Sequence, residues 1–451
     1  MKLIYDVNDK PKFGQLIVFA IQQLLAIMAA TLVVPVIVGN GMKPEAALFG
    51  AGVGTLIYVL CTAKRSPVFL GSSFAFLGSM AAAFAGAVSA EAGYAGIILG
   101  AVFAGLVYVV IAIIVKCVGV NWIDKVMPAV VIGPTVSIIG LSLAGNAVGD
   151  LATGKVMIDG NQAASPLICI LCGIITLFIT MLASTYGKKM AKLIPFIIGI
   201  IGGYSVATIF TVIGNIAGID ALKVIDFSYF TALVADGVTI KTFLTVPEFT
   251  FLTAVKGVSA ITPGYVATIA AAYVPVAFVV FAEHIADHKN ISSVIEKDLL
   301  KDPGLCRTLL GDGIGSMVGA FFGGCPNTTY GESIGCVAIT RNASVLTIIA
   351  AAIGAIIISF VAPFVAIVNS IPNCVMGGVC MALYGFIAVS GLKMFKNLDL
   401  DDNRNLFVVS AILIAGIGGL TLDFGAVKIT SVAAALILGI ITNFILSKKA
   451  N

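Results

Sequence analysis

Charged side chains are scarce in this sequence. Only 11% of its 451 residues are Asp, Glu, Lys or Arg, whereas soluble domains carry about 25%. Hydrophobic residues make up 59%, and several apolar runs are long enough to cross a bilayer. This composition excludes an ordinary soluble protein and predicts a polytopic membrane protein. No stretch is basic and aromatic enough to indicate a nucleic-acid partner.

The sequence also lacks the patterns of metal, redox and hydrolytic sites. Its nine cysteines are an odd number, and most lie in apolar segments, where cysteine behaves as a small hydrophobe. The pair Cys169 and Cys172 forms a CxxC without a second pair, so we expect no metal and no cofactor. The two histidines follow Glu283 closely, but no nucleophile with a positioned base accompanies them, so we do not expect an enzyme. The charged N-terminus lacks the pattern of a secretory signal.

Apolar spans can be drawn at fourteen places. They cover about 15–37, 46–61, 67–87, 94–116, 127–148, 166–184, 192–214, 262–285, 309–323, 328–340, 344–370, 374–392, 405–420 and 427–446. If the N-terminus is cytoplasmic, most of the 26 lysines and arginines fall on inside segments, including Lys2, Lys189, Lys448 and Lys449. The positive-inside rule then predicts that both termini are cytoplasmic.

A long loop at about 215–258 divides the chain into two halves of seven spans each. Span three carries FLGSSFAF (Phe69–Phe76) and span ten carries NTTYGESIG (Asn327–Gly335). Both are hydroxyl-rich interruptions with small residues, at the third position of their half. Because seven is odd, the second half must enter the membrane with opposite orientation. Inverted repeats with matching interruptions indicate a transporter whose substrate binds near the midplane.

Four acidic residues fall within spans or at their ends, namely Glu283, Asp287, Asp312 and Glu332. A carboxylate at membrane depth costs roughly 2.5–3.5 kcal/mol on insertion scales and usually marks a substrate or ion pathway. Glu283 and Asp287 share one helix face. Two poorly hydrated carboxylates cannot both ionise cheaply, so this pair could take up and release a proton. Alternatively, Asp287, His288 and Lys289 mark a cytoplasmic helix end. We interpret Asp312 as a helix-end or packing residue.

Spans three and ten supply groups suited to a small polar ligand. Tyr330, Gly331 and Glu332 offer a ring, a backbone N–H and a carboxylate, and Ser73 and Phe74 offer a hydroxyl, another N–H and a ring. If both segments begin half-helices near the midplane, their free N–H groups point into one cavity. A neutral heterocycle suits such a cavity, whereas an anion fits badly beside two glutamates. Ordinary packing is the alternative for the two rings.

Four motifs give the sequence a specific resemblance. They are LGSSFAF in span three, FAEH in span eight, KDLLKDPGLCR (Lys297–Arg307) and PNTTYGESIGCVAITR in span ten. With them the chain resembles the nucleobase–ascorbate transporter family (nucleobase:cation symporters), most closely its bacterial uracil permeases. The agreement extends from QQLLAIMAATLVVPV (Gln22–Val36) to PNCVMGGVCMALYG (Pro372–Gly385).

The resemblance implies a helical fold of fourteen transmembrane segments in two inverted sevens, with a short β-strand in segments three and ten. A core domain would consist of 12–118 and 258–370, and a gate domain of 126–216 and 372–448. Uracil would be bound by the side chains of Glu283 and Glu332 and by the backbone N–H groups of Phe74 and Gly331, with Tyr330 near the pocket.

Two positions depart from the family pattern. Ser333 stands where asparagine is common, and Asp287 stands where uracil permeases commonly have a histidine that hydrogen-bonds the span-eight glutamate. Proton exchange would then be carried by Glu283 with Asp287. Glu332 favours a pyrimidine, because the purine and xanthine branches resemble a glutamine–asparagine version of the motif.

The expected function is import of uracil with protons across the cytoplasmic membrane by alternating access. A xanthine, urate or guanine permease of the same family is one alternative, and an anion carrier or channel of related architecture is another. GxxxG runs occur at Gly50–Gly54, Gly311–Gly315 and Gly319–Gly323. They suit packing within the chain and between two copies equally, so a homodimer stays open.

Overall fold

The computed structural model describes residues 3–120, 122–188, 190–235, 237–396, 398–424 and 428–447. Of the residues used to predict orientation and domain limits, Lys2, Lys189, Lys448 and Lys449 lie outside the described residues. The described chain is mostly helical. Its strands are confined to three two-stranded pairs.

The helices and strands follow the chain in this order. The α-helices are α1 Phe13–Val38, α2 Pro44–Cys61, α3 Leu77–Ala85, α4 Ala90–Val118, α5 Ile123–Val126, α6 Ala129–Ser142, α7 Ala144–Asp150, α8 Pro166–Tyr186, α9 Met190–Leu193, α10 Pro195–Ala217, α11 Ser228–Thr231, α12 Ile240–Phe243, α13 Thr250–Gly257, α14 Pro263–Ile295, α15 Leu305–Gly323, α16 Gly331–Thr340, α17 Val345–Ile358, α18 Ala362–Ser370, α19 Asn373–Met394, α20 Asn403–Ile417 and α21 Ser431–Ser447. Short 3₁₀ turns lie at Phe74–Phe76, Asp220–Leu222, Ala232–Val234 and Val258–Ala260. The strands are β1 Leu70–Ser72, β2 Met157–Ile158, β3 Asn161–Gln162, β4 Asn327–Thr329, β5 Leu422–Asp423 and β6 Lys428–Ile429.

Eight of the described helices are long and apolar enough to cross a bilayer. They are Phe13–Val38, Pro44–Cys61, Ala90–Val118, Ala129–Asp150 (α6 continued by α7), Pro166–Tyr186, Pro195–Ala217, Pro263–Ile295 and Asn373–Met394. Shorter apolar helices lie at Phe74–Ala85, Val345–Ile358, Asn403–Ile417 and Ser431–Ser447. The chain is therefore a multi-pass membrane protein, as its composition predicts.

Two predicted spans have the wrong limits. The span drawn at 262–285 continues as one helix to Ile295, because His284 and His288 near its predicted end are buried and hydrogen-bond to residues of α15 and α2. The span drawn at 344–370 is two helices, Val345–Ile358 and Ala362–Ser370. Pro363 occupies the first turn of the second helix, where its missing N–H is tolerated but where an unbroken helix would be interrupted.

The long helices pack in two groups, each drawn from both halves of the chain. In the first group, α15 packs on α2 and α4, α14 packs on α3 and α4, and α17 packs on α1 and α2. In the second group, α6 packs on α19, α20 and α21, and α8 packs on α10 and α19. The groups meet where α14 contacts α6 and α21 and where α1 contacts α10 and α19.

Two strands from distant parts of the chain pair inside the first group. β1 and β4 are antiparallel, with Leu70 opposite Thr329, Gly71 opposite Thr328 and Ser72 opposite Asn327. All six residues are buried. Irregular backbone at membrane depth requires such protein burial, since lipid cannot satisfy its polar groups.

Side chains from α2 and α15 satisfy polar groups along this strand pair. The Thr55 hydroxyl accepts from the Leu70 N–H at 2.9 Å and lies 3.2 Å from the Leu70 carbonyl oxygen. The Ser316 hydroxyl donates to the Asn327 carbonyl. The Asn327 amide in turn donates to the carbonyl of Gly50 at 3.0 Å. The strand pair is thereby held between two helices without an exposed edge in this part of the ladder.

The GxxxG runs pack within the chain. A Cβ added at Gly50 would lie 2.8 Å from the carbonyl oxygen of Gly319, and one added at Gly54 would lie 2.5 Å from the Asn327 amide nitrogen. One added at Gly319 would lie 2.4 Å from the same Asn327 side chain. The glycines therefore let α2 and α15 approach closely and leave room for the side chain that supports the strand pair.

Candidate functional site

The candidate site lies where the paired strands continue into helices. β1 leads through the turn Phe74–Phe76 into α3, and β4 leads directly into α16. Two backbone bonds extend the pairing, from Ser73 N–H to the Pro326 carbonyl at 2.9 Å and from Tyr330 N–H to the Phe69 carbonyl at 3.2 Å. Because the strands are antiparallel, the segments that lead into the two helices leave from opposite ends of a ladder about 10 Å long. The N-termini of α3 and α16 therefore lie on either side of the strand pair.

The first turn of α16 presents a carboxylate and free backbone donors. The first N–H groups of a helix have no partner within it, and they form its positive end. Gly331 is exposed and Glu332 is half-buried, whereas Ser333 and Ile334 behind them are buried. A Cβ added at Gly331 would meet no atom within 4 Å. This turn therefore borders open space rather than packed protein.

α14 brings the other two acids to the same place. It packs against both β4 and α16, and the Thr329 hydroxyl donates to the Asp287 carboxylate at 2.7 Å. Glu283 and Asp287 are half-buried. The carboxyl group of Glu283 interacts electrostatically with those of Asp287, Asp312 and Glu332. The structure thus brings Glu283, Asp287 and Glu332 to this junction, and the fourth acid singled out by the sequence, Asp312 on α15, lies near them.

The predicted aromatic and hydroxyl residues also lie at this junction, with different surroundings. Tyr330 is buried, and its hydroxyl donates to the Ser72 carbonyl at 2.6 Å, so it braces β1. The Phe74 ring contacts Tyr384 of α19 edge to face, with 5.7 Å between ring centroids. Ser73 is buried, and its hydroxyl oxygen has no hydrogen-bond partner among the described residues. Phe74 therefore sits at the boundary between the two helix groups.

Sequence reasoning missed the contacts of Ser333. Its hydroxyl accepts from the Phe69 N–H at 3.0 Å and from the side-chain amide of Gln23 on α1. Ser333 thus joins α16 to α1 and to the residue that precedes β1. The polar pair Gln22–Gln23 within an apolar span was a signal of such a contact, but the sequence does not say which residue it meets.

Asp312 is a buried packing residue and not a helix-end residue, and the interpretation of His288 as the end of a helix is wrong. Asp312 lies inside α15, fully buried, with its Oδ2 2.8 Å from His284 Nδ1. His288 is fully buried inside α14, with its Nε2 2.7 Å from the Tyr58 hydroxyl. Neither marks the end of a helix, because each lies within a helix and hydrogen-bonds to a residue of another helix.

Helices long enough to cross a bilayer, and acids gathered at a pair of broken segments, define an integral membrane protein of the transporter class. Residues 14–424 match the model of the Permease family. The chain belongs to this family, the nucleobase–ascorbate transporters.

Curated relatives resemble the chain over nearly its whole length. It is 38% identical to the uracil permease of Bacillus caldolyticus over 99% of this chain and 95% of that protein. It is 34% identical to the uracil permease of Escherichia coli K12 over 96% of this chain and 92% of that one. As these relatives are permeases, the chain is a transporter and not an enzyme.

Solved structures share the fold at low sequence identity. The transmembrane domain of the cyanobacterial bicarbonate transporter BicA aligns with a TM-score of 0.59 and 14% identity, over 97% of this chain and all of that domain. The murine anion transporter Slc26a9 aligns with a TM-score of 0.62 and 9% identity, over 98% of this chain and 69% of its own. At such identities the likeness concerns the fold alone.

Proposed function

We propose that this protein imports uracil across the cytoplasmic membrane together with protons. The observation that carries the proposal is the meeting of Glu283 on α14 with Glu332 at the start of α16. It occurs in a chain whose curated relatives include uracil permeases.

The chemistry of the site suits the edges of a uracil ring. Uracil has ring N–H donors and carbonyl acceptors in one plane. The carboxylates of Glu283 and Glu332 would accept from the ring N–H groups, and the backbone N–H groups of Phe74 and Gly331 would donate to the carbonyl oxygens. The unpartnered Ser73 hydroxyl would add a further polar contact. Phe74 and Tyr330 would cover the ring.

Proton coupling would use the acids that lie beside the substrate. Asp287 takes the place of the histidine expected by resemblance, and the Thr329 hydroxyl donates to it. A proton shared between Glu283 and Asp287 would lower the negative charge of the site by one when uracil binds, and it would leave on the cytoplasmic side. Poorly hydrated carboxylates at short range favour such protonation, because they cannot both remain charged cheaply.

Alternating access would be a movement of the two helix groups relative to each other. We assign 12–118 and 258–370 to a core domain and 126–216 and 372–448 to a gate domain, which agrees with the packing of the helices in two groups. In this proposal each interrupted or split span counts once, so that fourteen segments would form two inverted sevens with both termini in the cytoplasm. The contact between Phe74 and Tyr384 lies at the moving boundary.

Uptake of radiolabelled uracil into cells or proteoliposomes tests this function. We expect uptake that is driven by an inward proton gradient and abolished by a protonophore. Undiminished initial uptake with the protonophore would refute proton coupling while leaving uracil transport intact. Absence of uptake under every ion gradient would refute the function as a whole.

Competition distinguishes the alternatives. We expect unlabelled uracil to compete fully, and xanthine, guanine and bicarbonate to compete poorly. Strong competition by xanthine or guanine would make this a purine permease of the same family. An anion carrier is disfavoured because an anion would lie beside Glu283 and Glu332, although the fold is shared with anion transporters.

A further inference from the structure

α14 carries a second pair of ionisable residues next to the acids. His284 and His288 are also four residues apart, and each follows one of the two carboxylates in the sequence. Successive residues on a helix point about 100° apart, so the histidines occupy the neighbouring face. Both are fully buried. Their rings stack with 4.0 Å between centroids.

The hydrogen bonds of His288 assign its neutral tautomer. Its Nδ1 lies 2.8 Å from the His284 carbonyl oxygen, which can only accept, so Nδ1 carries a proton. Nε2 then accepts from the Tyr58 hydroxyl at 2.7 Å, and that hydroxyl lies 2.7 Å from the Ser66 hydroxyl. This chain of bonds fastens α14 to α2 and to the segment that precedes β1.

The bonds of His284 imply that it shares one proton with Asp312. The Thr308 hydroxyl donates to the Leu305 carbonyl at 3.1 Å, so it accepts from His284 Nε2 at 3.0 Å. His284 Nδ1 and Asp312 Oδ2 are 2.8 Å apart, and one proton lies between them. The pair is neutral as a whole wherever that proton sits. This second set of bonds fastens α14 to α15.

We propose that His284 and His288 are positioning residues, which hold Glu283 and Asp287 in the orientation required to bind the substrate. The histidine face is anchored to α2 and α15, so the carboxylate face cannot rotate away from β4 and α16. The inference rests on the proposed role of the two acids. The proton between His284 and Asp312 stays in place throughout the transport cycle, because it neutralises a fully buried pair.

Other ionisable groups lie around the histidines, and a change in the protonation of His284 or His288 would affect them. They include Tyr58 from α2, Tyr108 from α4, Asp312 from α15, and Glu283 and Asp287 from α14 itself. A positioning role and a role in proton transport make different predictions for this set. The positioning role requires only that the hydrogen bonds of His284 and His288 are kept. A role in proton transport requires that the proton between His284 and Asp312 can be exchanged.

Variants of Asp312 separate these roles. In Asp312→Asn, the amide can donate to His284 Nδ1 in the same geometry, so we expect uracil affinity within about threefold of wild type. In Asp312→Leu, Nδ1 loses its partner in a dry interior, and we expect affinity to fall about tenfold or more. Asp302→Asn is the matched control, because its exposed carboxylate pairs with Arg65 at the surface.

Isothermal titration with the purified full-length protein gives the affinities, and uptake by proteoliposomes gives the pH profile. Asp312→Asn should keep the wild-type pH profile. If it binds uracil normally but its uptake no longer depends on the proton gradient, the shared proton is a transported one and the positioning role is refuted. Wild-type affinity in Asp312→Leu would also refute it.

Two milder variants cover the case in which Asp312→Leu does not fold. Tyr58→Phe keeps the ring and removes the hydroxyl, and Thr308→Val keeps the shape and removes the acceptor. Each should weaken uracil binding by about threefold to tenfold, with a KM increase larger than the loss of maximal rate. Wild-type affinity in both variants would overturn the inference.

A labelling experiment separates this inference from the proposed function. Dicyclohexylcarbodiimide reacts with protonated carboxyl groups in apolar surroundings, and mass spectrometry gives its rate of addition to Glu283. We expect Asp312→Leu to change that rate at least about threefold and Asp312→Asn to leave it unchanged. If wild type fails to bind uracil, the proposed function fails and labelling still tests the anchoring. If wild type binds and the labelling rates are equal, only the positioning role fails.

Discussion

The two strand–helix units at the centre of the protein share a backbone plan and differ in chemistry. In each, a buried three-residue strand leads into the N-terminus of a helix, and a backbone bond to the other unit extends the ladder. The first unit, 70–85, contains no charged residue, whereas the second has Glu332 in the first turn of its helix. The first unit therefore supplies backbone N–H groups and the Phe74 ring. The second supplies Glu332, which faces Glu283 of α14.

The glycines of the two units show the same division. A Cβ added at Gly71 in β1 would lie 2.4 Å from the ring of Tyr330 and 2.8 Å from the Thr31 hydroxyl. A Cβ added at Gly331 would meet nothing within 4 Å. Gly71 is thus needed for packing, whereas Gly331 borders the space where we place the substrate. One unit is mainly scaffold, and the other forms the open side of the site.

The largest effect is expected from Glu332→Gln. The amide keeps the shape but loses a charge-assisted bond to the ligand, so uracil affinity should fall roughly 10–100-fold. Titration calorimetry measures the affinity, and Glu248→Gln is the control, because Glu248 is an exposed acid that pairs with Lys43. An unchanged affinity would remove Glu332 from the site and with it the chemical difference between the two units.

Gly71→Ala tests the scaffold role of the first unit. The new methyl group would press on the Tyr330 ring, and overpacking of a buried site typically costs about 1–3 kcal/mol. We expect a lower melting temperature in detergent. Uracil binding should fall only in proportion to the fraction of the protein that is unfolded. A melting temperature equal to wild type would mean that β1 and Tyr330 are less tightly packed than the structure shows.

Gly331→Ala is the counterpart in the second unit. Because the added Cβ finds open space, the free energy of unfolding should stay equal or rise by about 0.4–1 kcal/mol. The melting temperature should therefore be equal to that of wild type or higher. Uracil affinity should nevertheless fall about tenfold, since the methyl group would occupy space next to the bound ring. Full affinity in this variant would place the ligand away from α16.

The sequence points to the residues of this candidate site more directly than to what supports them. Scarce charge identifies the membrane class, and acids at membrane depth single out Glu283 and Glu332 as candidates, because burying a charge is costly enough to require a reason. The partners of buried polar groups are not visible in the same way. Gln23 meets Ser333 and Tyr58 meets His288 across hundreds of residues, and no local pattern encodes such pairings.

The limits of α14 illustrate why the rest could not be predicted. A run of Asp287, His288 and Lys289 is typical of a helix end in water, yet the helix continues to Ile295. His288 is tolerated there because Tyr58 and the His284 carbonyl satisfy both ring nitrogens. A hydropathy pattern measures transfer to lipid or water, and it contains no term for a partner supplied by another helix.

The smallest effects are expected from the two units' hydroxyl groups. Tyr330→Phe removes the bond to the Ser72 carbonyl and should cost about 0.5–1.5 kcal/mol of stability, with uracil affinity nearly unchanged.

Ser73→Ala removes a buried hydroxyl that has no partner among the described residues. It should leave the melting temperature equal or higher and weaken uracil binding by about threefold to tenfold, because the ligand would be its only partner. Thermal unfolding and titration of both variants measure the two quantities side by side. If Ser73→Ala loses stability but not affinity, its hydroxyl has a structural partner, and the site is formed by the second unit and α14 alone.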